Sequence, residues 1–379
     1  MAALPHPTTD PLTHAFLDHT VRTTHGVDLP IRVFPATDNG APRPWLFWIH
    51  GGGYITGQHY HPIPFILPTF LDACNYHVIS VSHRLMPQVS FGEILDDIQA
   101  SFGWCLAHLP QILGEKRLDL HNYSVGGNSS GGHLALLAGF HFEPKPKTVL
   151  DVHGITDLTD KDFDNKVPEG TIEDYKDISD SMTQAALADR DSKNAVVSGP
   201  QKWEMEPLMS VQSLQAHWGT PYLPGQRDKI RLNMYNRILR GGAMMRMLFG
   251  ADEMKDEKWC HEEMKKWSPL HLLENQQWYP PTAILHGTND AGVPIQQSEK
   301  LAAKLKELNV EVRELYERDE QHDFEYRVVG PTDRGWKEYI QPIVDFARQH
   351  LDQETPHPAC MAHTALDLSV RGQLAMISV

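Results

Sequence analysis

The chain has 379 residues, 41% of them hydrophobic and 22% charged, a globular balance that excludes a disordered or fibrous protein. Its formal net charge is -15 and no Lys/Arg run offers an electrostatic footprint, which argues against a nucleic-acid partner. No stretch approaches the roughly 18 apolar residues of a membrane span, the start lacks the basic and apolar regions of a secretory signal, and Cys74, Cys105, Cys260 and Cys360 are spaced too irregularly for a zinc motif or a disulfide framework. Free thiols and a cytoplasmic setting are therefore expected.

Residues 1–19, rich in Pro, Thr and His at their start, read as an N-terminal arm. Strands are predicted at 29–34 and 44–49, the second a nearly continuous apolar run suited to burial on both faces. A strand at 77–82 follows, then a helix over 94–108 that stops at Pro110, a strand at 122–125, a helix over 129–140 and a strand at 148–152. Alternation of strands and helices predicts a mostly parallel sheet covered on both faces. It breaks over 155–279, far too long for a connecting loop; helical segments at 182–189 and 227–240 suggest an inserted helical lid. Alternation resumes with a strand at 282–285, a helix over 295–308, a strand at 311–316 and an amphipathic helix over 336–351. The expected division is a core of 20–154 and 280–351, a lid of 155–279 and a C-terminal tail of 352–379.

Two motifs carry chemistry. Gly127-Asn128-Ser129-Ser130-Gly131 fits a nucleophile elbow, in which a strand turns sharply into a helix and glycines on both sides avoid collision with the flanking elements. The Ser129 hydroxyl would stand above the sheet, at a helix N-terminus that favours negative charge. Alone the pattern is weak, since a glycine-rich turn with a capping serine would look alike. His50-Gly51-Gly52-Gly53-Tyr54 directly follows the predicted strand at 44–49. Its glycines would let backbone N–H groups of Gly51, Gly52 and Gly53, with that of Ser130, face a substrate as an oxyanion hole. His50, at the base of the loop, is expected to be structural.

The two motifs, in this order and each at a strand end, resemble the hormone-sensitive-lipase-like branch of the α/β-hydrolases, whose mark is His-Gly-Gly-Gly. Ser82-His83-Arg84-Leu85-Met86-Pro87 is similar to that branch's Tyr-Arg-Leu-Ala-Pro-Glu, whereas Asn128, Ser130 and Gln88 depart from its usual Asp, Ala and Glu. The resemblance implies an α/β-hydrolase fold with a mostly parallel eight-stranded sheet, and a chain order of nucleophile, acid, histidine. Among 22 histidines, His322 in Glu320-Gln321-His322-Asp323-Phe324 lies just past a predicted strand and fits the branch's His-x-Phe. Asp290, in His286-Gly287-Thr288-Asn289-Asp290 ahead of Val293-Pro294, lies past the preceding strand and fits the expected acid, with His286 bracing the turn.

The implied activity is a serine carboxylic-ester hydrolase working through an acyl-enzyme, with Ser129 as nucleophile, His322 as base near its ordinary pKa and Asp290 orienting it, and with no metal or organic cofactor. The same triad serves a thioesterase or amidase acting on a natural-product acyl chain. A non-catalytic receptor, like the gibberellin receptors that have lost the histidine, is the rival of another class. Partners are limited to a small lipophilic ester and, by analogy, a second copy in a homodimer. Nine of 13 methionines fall between Met182 and Met264, densest at Met244, Met245 and Met247, which suggests an adaptable lid surface or the lid's own small core.

Overall fold

The computed structural model describes residues 14–37, 40–60, 62–160, 163, 174–197, 225–242, 244 and 257–352. Eight strands form one sheet in the order β1-β2-β4-β3-β5-β6-β7-β8: β1 Leu17–Arg22, β2 Asp28–Phe34, β3 Arg43–Ile49, β4 His77–Val81, β5 Leu118–Asn128, β6 Thr148–Val152, β7 Thr282–Gly287 and β8 Val312–Glu317. The β1–β2 and β2–β4 pairs are antiparallel and every other pair is parallel.

The two-residue period of a strand sorts the central strands between two cores. Trp45, Phe47, Ile49, Val125, Val149 and Ile284 point to one face, Leu46, Trp48, Leu150, Val152, Ala283 and Leu285 to the other. Helices α1 (Phe91–Leu113), α2 (Ser130–His141) and α7 (Ile295–Glu307) cover the first face through residues such as Ile98, Leu137 and Leu301. The π-helical turn Leu67–Ala73 and helix α8 (Gln341–Leu351) cover the second through Phe70 and Phe346. Between β6 and β7 lie α3 (Asp180–Ala188), α4 (Gln226–Gly241), α5 (Glu257–Lys266) and the single turn α6 (Pro269–Leu272). Both ends of this insertion meet at one neck: Leu270 N–H donates to the Thr156 carbonyl and Leu158 N–H to Ser268 Oγ, each at 2.9 Å.

Three expectations change. The arm ends earlier, because Leu17, Asp18 and His19 belong to β1, where only Val21 is buried and no apolar alternation marks the strand. Helix α1 does not stop at Pro110 but runs on to Leu113; buried Leu109 and Leu113 hold the last turn, and the Pro110 carbonyl accepts the Gly114 N–H. The helix predicted over 336–351 opens as a π-turn, Trp336–Ile340, before α8. Residues 1–13 of the arm, 353–379 of the tail, and Met245 and Met247 lie outside the described residues. Among the described residues no helix is long and apolar enough to cross a membrane.

Helix α1 is fixed to the sheet at both ends of its first turns. Ser90 and Glu93 form a reciprocal capping box. Arg84, just past β4, donates to the Asp97 carboxylate from Nε at 2.8 Å and Nη2 at 2.9 Å, and Asp97 also accepts the Arg84 backbone N–H. Arg84 and Asp97 are both buried, while Glu93, 3.2 Å from Arg84, is only half-buried. Removing one partner of a buried pair strands the other charge. Asp97→Ala is therefore expected to cost about 3 kcal/mol in urea unfolding, against less than about 1 kcal/mol for Glu93→Gln; equal losses would show that the buried pair carries no special weight.

Candidate active site

All of the chemically active loops leave the carboxyl edge of the parallel strands. The chain passes from β3 outward to β4 on one side and to β5 on the other, so the loops after β3 and β5 flank the point where strand order reverses, where open α/β sheets form their crevice.

The loop after β5 carries Ser129 in a strained conformation, φ 53 and ψ -122, between strand and helix. The turn is possible because Gly131 presses its backbone onto the loop after β3: a Cβ there would stand 2.2 Å from the Ile49 oxygen and 2.5 Å from that of His50. Ser129 N–H donates to the Val152 carbonyl at 2.8 Å, and the Ser129 carbonyl accepts His133 N–H. The hydroxyl is left facing His322, whose Nε2 is 3.0 Å from Ser129 Oγ. On the other side of the ring, His322 Nδ1 is 2.6 Å from Asp290 Oδ2. The three residues read from the motifs thus form one continuous hydrogen-bonded chain.

Asp290 is a fully buried carboxylate, but every lone-pair direction is occupied. Oδ1 accepts the N–H groups of Gly292 and Val293 at 2.7 and 2.8 Å, and Oδ2 accepts His286 Nε2 at 3.1 Å besides His322. Burial alone would raise its pKa, but His322 and His286 more than offset this and hold it well below the usual carboxylate range. Burial keeps His286 neutral, with its pKa lowered, so its Nε2–H donates while Nδ1 accepts from Ser298 Oγ at 2.7 Å. It braces the acid, as its place in the turn suggested.

Burial works to depress His322 as well, but Asp290 and then Asp323 outweigh it and its pKa is raised. This corrects the expectation of an unperturbed base near 6.5.

The loop after β3 also departs from expectation at one residue. Gly51 N–H is consumed, donating to Asn128 Oδ1 at 3.1 Å. Gly51 therefore supports the oxyanion hole without being a donor to it. The N–H groups of Gly52, Gly53 and Ser130 meet no acceptor among the described residues and remain available. Gly53 has φ +58, and a Cβ on it would meet the Tyr235 ring at 2.6 Å and Met244 at 3.1 Å, which brings α4 directly over this loop. Arg231 of the same helix is buried and donates to the carbonyls of Ile55, at 2.8 Å, and Met86. His50 is structural: buried, its pKa depressed to about 3 by burial, it donates from Nδ1 to the Gly51 carbonyl and stacks 4.7 Å from His83.

Several contributors were not apparent from the motifs. Tyr54 donates its hydroxyl to His133 Nδ1 at 2.5 Å, and His133 Nε2 donates to the Trp267 carbonyl at 2.6 Å. Burial holds His133 neutral, down to about 4, which fixes these directions. The chain links the oxyanion loop, the helix after Ser129 and the neck of the insertion. The polar Asn128, a departure from the resembled branch, supplies the tie to Gly51; its Nδ2 also donates to Tyr326 Oη at 3.4 Å. His153, Asp323 and Glu325 cluster beside His322. His153 directly follows the buried strand Thr148–Val152, and no motif or spacing in the sequence marks it.

The same fold recurs in a protein of Enterococcus faecalis described as belonging to the α/β hydrolase superfamily, with a TM-score of 0.58 at 17% identity over 90% of this chain and 100% of that one. The fold is that of the α/β-hydrolases. Carboxyl esterase 2 of Tuber melanosporum superposes on the chain with a TM-score of 0.55, at 18% identity over 92% of this chain and 89% of that one. Residues 32–198 match the family described as BD-FAE, and residues 244–354 match the prolyl oligopeptidase family. In sequence the chain is 25% identical over 332 residues to a non-reducing polyketide synthase of Preussia isomera and 27% identical over 331 residues to one of Penicillium brasilianum. These alignments cover 83% and 82% of the chain but only 14% and 13% of the synthases' length.

Two outcomes follow from this geometry. Only the neutral imidazole accepts a proton from Ser129, so kcat/KM should fall as pH drops through the raised pKa of His322, with a midpoint above 6.5 in a pH–rate profile; a midpoint below 6.5 would contradict the surroundings described. Asn128→Ala should untie Gly51 and lower kcat about tenfold, the equivalent of about one hydrogen bond, with KM and melting temperature little changed. Unchanged kcat would mean that the oxyanion loop holds its shape without Asn128.

Proposed function

We propose that this hydrolase cleaves carboxylic esters through an acyl-enzyme on Ser129. The observation that carries the reading is the unbroken chain Asp290–His322–Ser129 beside the N–H groups of Gly52, Gly53 and Ser130, which meet no acceptor among the described residues. His322 takes the Ser129 proton as the hydroxyl oxygen attacks the substrate carbonyl. The tetrahedral oxyanion forms toward the N–H groups, which are already oriented and cost no reorganisation. His322 then returns the proton to the departing alcohol, and water, activated by the same base, hydrolyses the acyl-enzyme. No step calls for a metal or organic cofactor. Tyr235 and Met244 over Gly53 favour a lipophilic substrate of small to medium size, since they set an aromatic ring and a thioether beside the oxyanion loop.

A second reading concerns the leaving group. The similarity to non-reducing polyketide synthases spans most of this chain, which supports a thioester of a natural-product acyl chain as the substrate. The catalytic groups are the same, because a thiolate leaves from the same tetrahedral intermediate as an alkoxide.

A fluorophosphonate probe should label Ser129 in the wild-type protein and not in Ser129→Ala, and that variant should lose p-nitrophenyl ester turnover to background. Labelling that persists in Ser129→Ala would refute the nucleophile. Matched oxoesters and N-acetylcysteamine thioesters of one acyl chain then separate the two substrate readings: a kcat/KM ratio above about tenfold in favour of the thioester selects the second, and the reverse ratio selects the first.

A further inference from the structure

Two histidines, not one, occupy the centre of this site. His153 is the first residue past β6, with φ 42 and its N–H donated to the Leu285 carbonyl at 2.7 Å. Its ring is completely buried and lies 4.2 Å from the His322 ring, centre to centre, tilted by 59°. It covers the face of the imidazole that Asp290 and Ser129 hold by its edges. His153 Nε2 is 2.8 Å from Oε1 of Glu325, a glutamate with no exposed surface, in the 3-10 turn Phe324–Arg327 that follows His322. Nothing in the triad chemistry calls for either residue.

The charges around this pair are unusual for an interior. Asp290 faces the two rings from the loop after β7, and Asp323 and Glu325 face them from the loop after β8. Asp323 Oδ1 is 3.8 Å from His153 Nε2 and 3.9 Å from His322 Nε2. His286 of β7 is 6.1 Å from His153 and neutral. Asp151 of β6 is buried, accepts the Gly154 N–H, and is pushed up to about 7 by burial. With only His322 to answer three carboxylates, its pKa would stand higher still. A buried Glu325 would also stand as an unpaired charge.

We propose that His153 is a positioning residue for His322: its charged ring, seated on Glu325, packs against the base and balances the carboxylates that crowd it. Glu325 still acts on His322 together with Asp290 and Asp323, and the charge on His153 opposes them. The closely packed ring also leaves His322 little room to swing from the line between Asp290 and Ser129. Burial opposes a charge on His153, but the Glu325 carboxylate offsets it and raises the pKa of the ring, in keeping with this role.

The proposal rests on the triad reading, and its test separates the two. The pH dependence of fluorophosphonate labelling reports the free base without any assumption about substrate. Asn at 153 tolerates the left-handed backbone. In His153→Asn the Glu325 carboxylate is turned onto His322 alone, so the acid limb of the labelling profile should move to higher pH by about half a unit or more, a loss of about threefold or more in rate on the limb. In His153→Asn/Glu325→Gln the limb should return to within about 0.2 units of the wild type, even if the plateau rate and the melting temperature fall. A purely structural His153 would lower the plateau or the melting temperature and leave the limb in place in both variants; that result, or a limb displaced equally in the single and double variants, overturns the proposal. Wild-type protein that does not label at any pH would instead overturn the triad reading itself.

Discussion

Two backbone segments touch at the centre of this molecule, and the position of every reacting group follows from that contact. Gly131 lies against the Ile49 and His50 carbonyls, so close that no side chain fits between. The contact joins the start of the helix after Ser129 to the loop that bears Gly52 and Gly53. A hydroxyl from one and N–H groups from the other are therefore held close together, the placing that attack and oxyanion stabilisation at a single carbonyl would require. The remaining ties hold this contact in register: Asn128 to Gly51, Tyr54 to His133 and on to Trp267, Arg231 to the carbonyls of Ile55 and Met86.

The second organising influence is electrostatic. The carboxyl edge of β6, β7 and β8 gathers histidines and carboxylates away from water, where interactions between charges are strong and unpaired charge is costly. Asp290 remains ionised because four N–H groups converge on it. The neutral histidines are equally specific: His286, His133 and His50 are each kept uncharged by burial, and each works through a directed hydrogen bond. One residue type thus serves as base and as brace within the same site, according to which groups surround it.

Glycine spacing made the elbow and the oxyanion loop legible in the sequence, because steric exclusion leaves no other residue for those positions. The central strands were legible because apolar runs such as Trp45–Ile49 are buried on both faces. Strand β1 was not, since an edge strand with only Val21 buried has no pattern to show. Helix α1 outlasted Pro110 because its last turn is held by packing rather than by propensity. Gly51 illustrates a different limit. A glycine in the motif marks where backbone comes close, but which N–H stays free depends on Asn128, 77 positions away in the chain. His153 and Glu325, separated by 172 positions, meet only in the folded chain, and among 22 histidines neither spacing nor composition distinguishes His153.

The neck of the insertion has a consequence for how such an enzyme diversifies. Thr156 and Leu158 are bonded to Leu270 and Ser268, and Gln297 of α7 closes the same point from the core side by bonding Thr156 and Asp157. Everything between leaves and re-enters through one gate that is sealed by its own hydrogen bonds. Lengthening a segment whose ends are already joined adds only about 0.6 kcal/mol of closure entropy for each doubling. Such a segment behaves as an exchangeable cassette: its length and sequence can vary while the sheet beneath and the hydrogen-bonded residues at its edge keep their places.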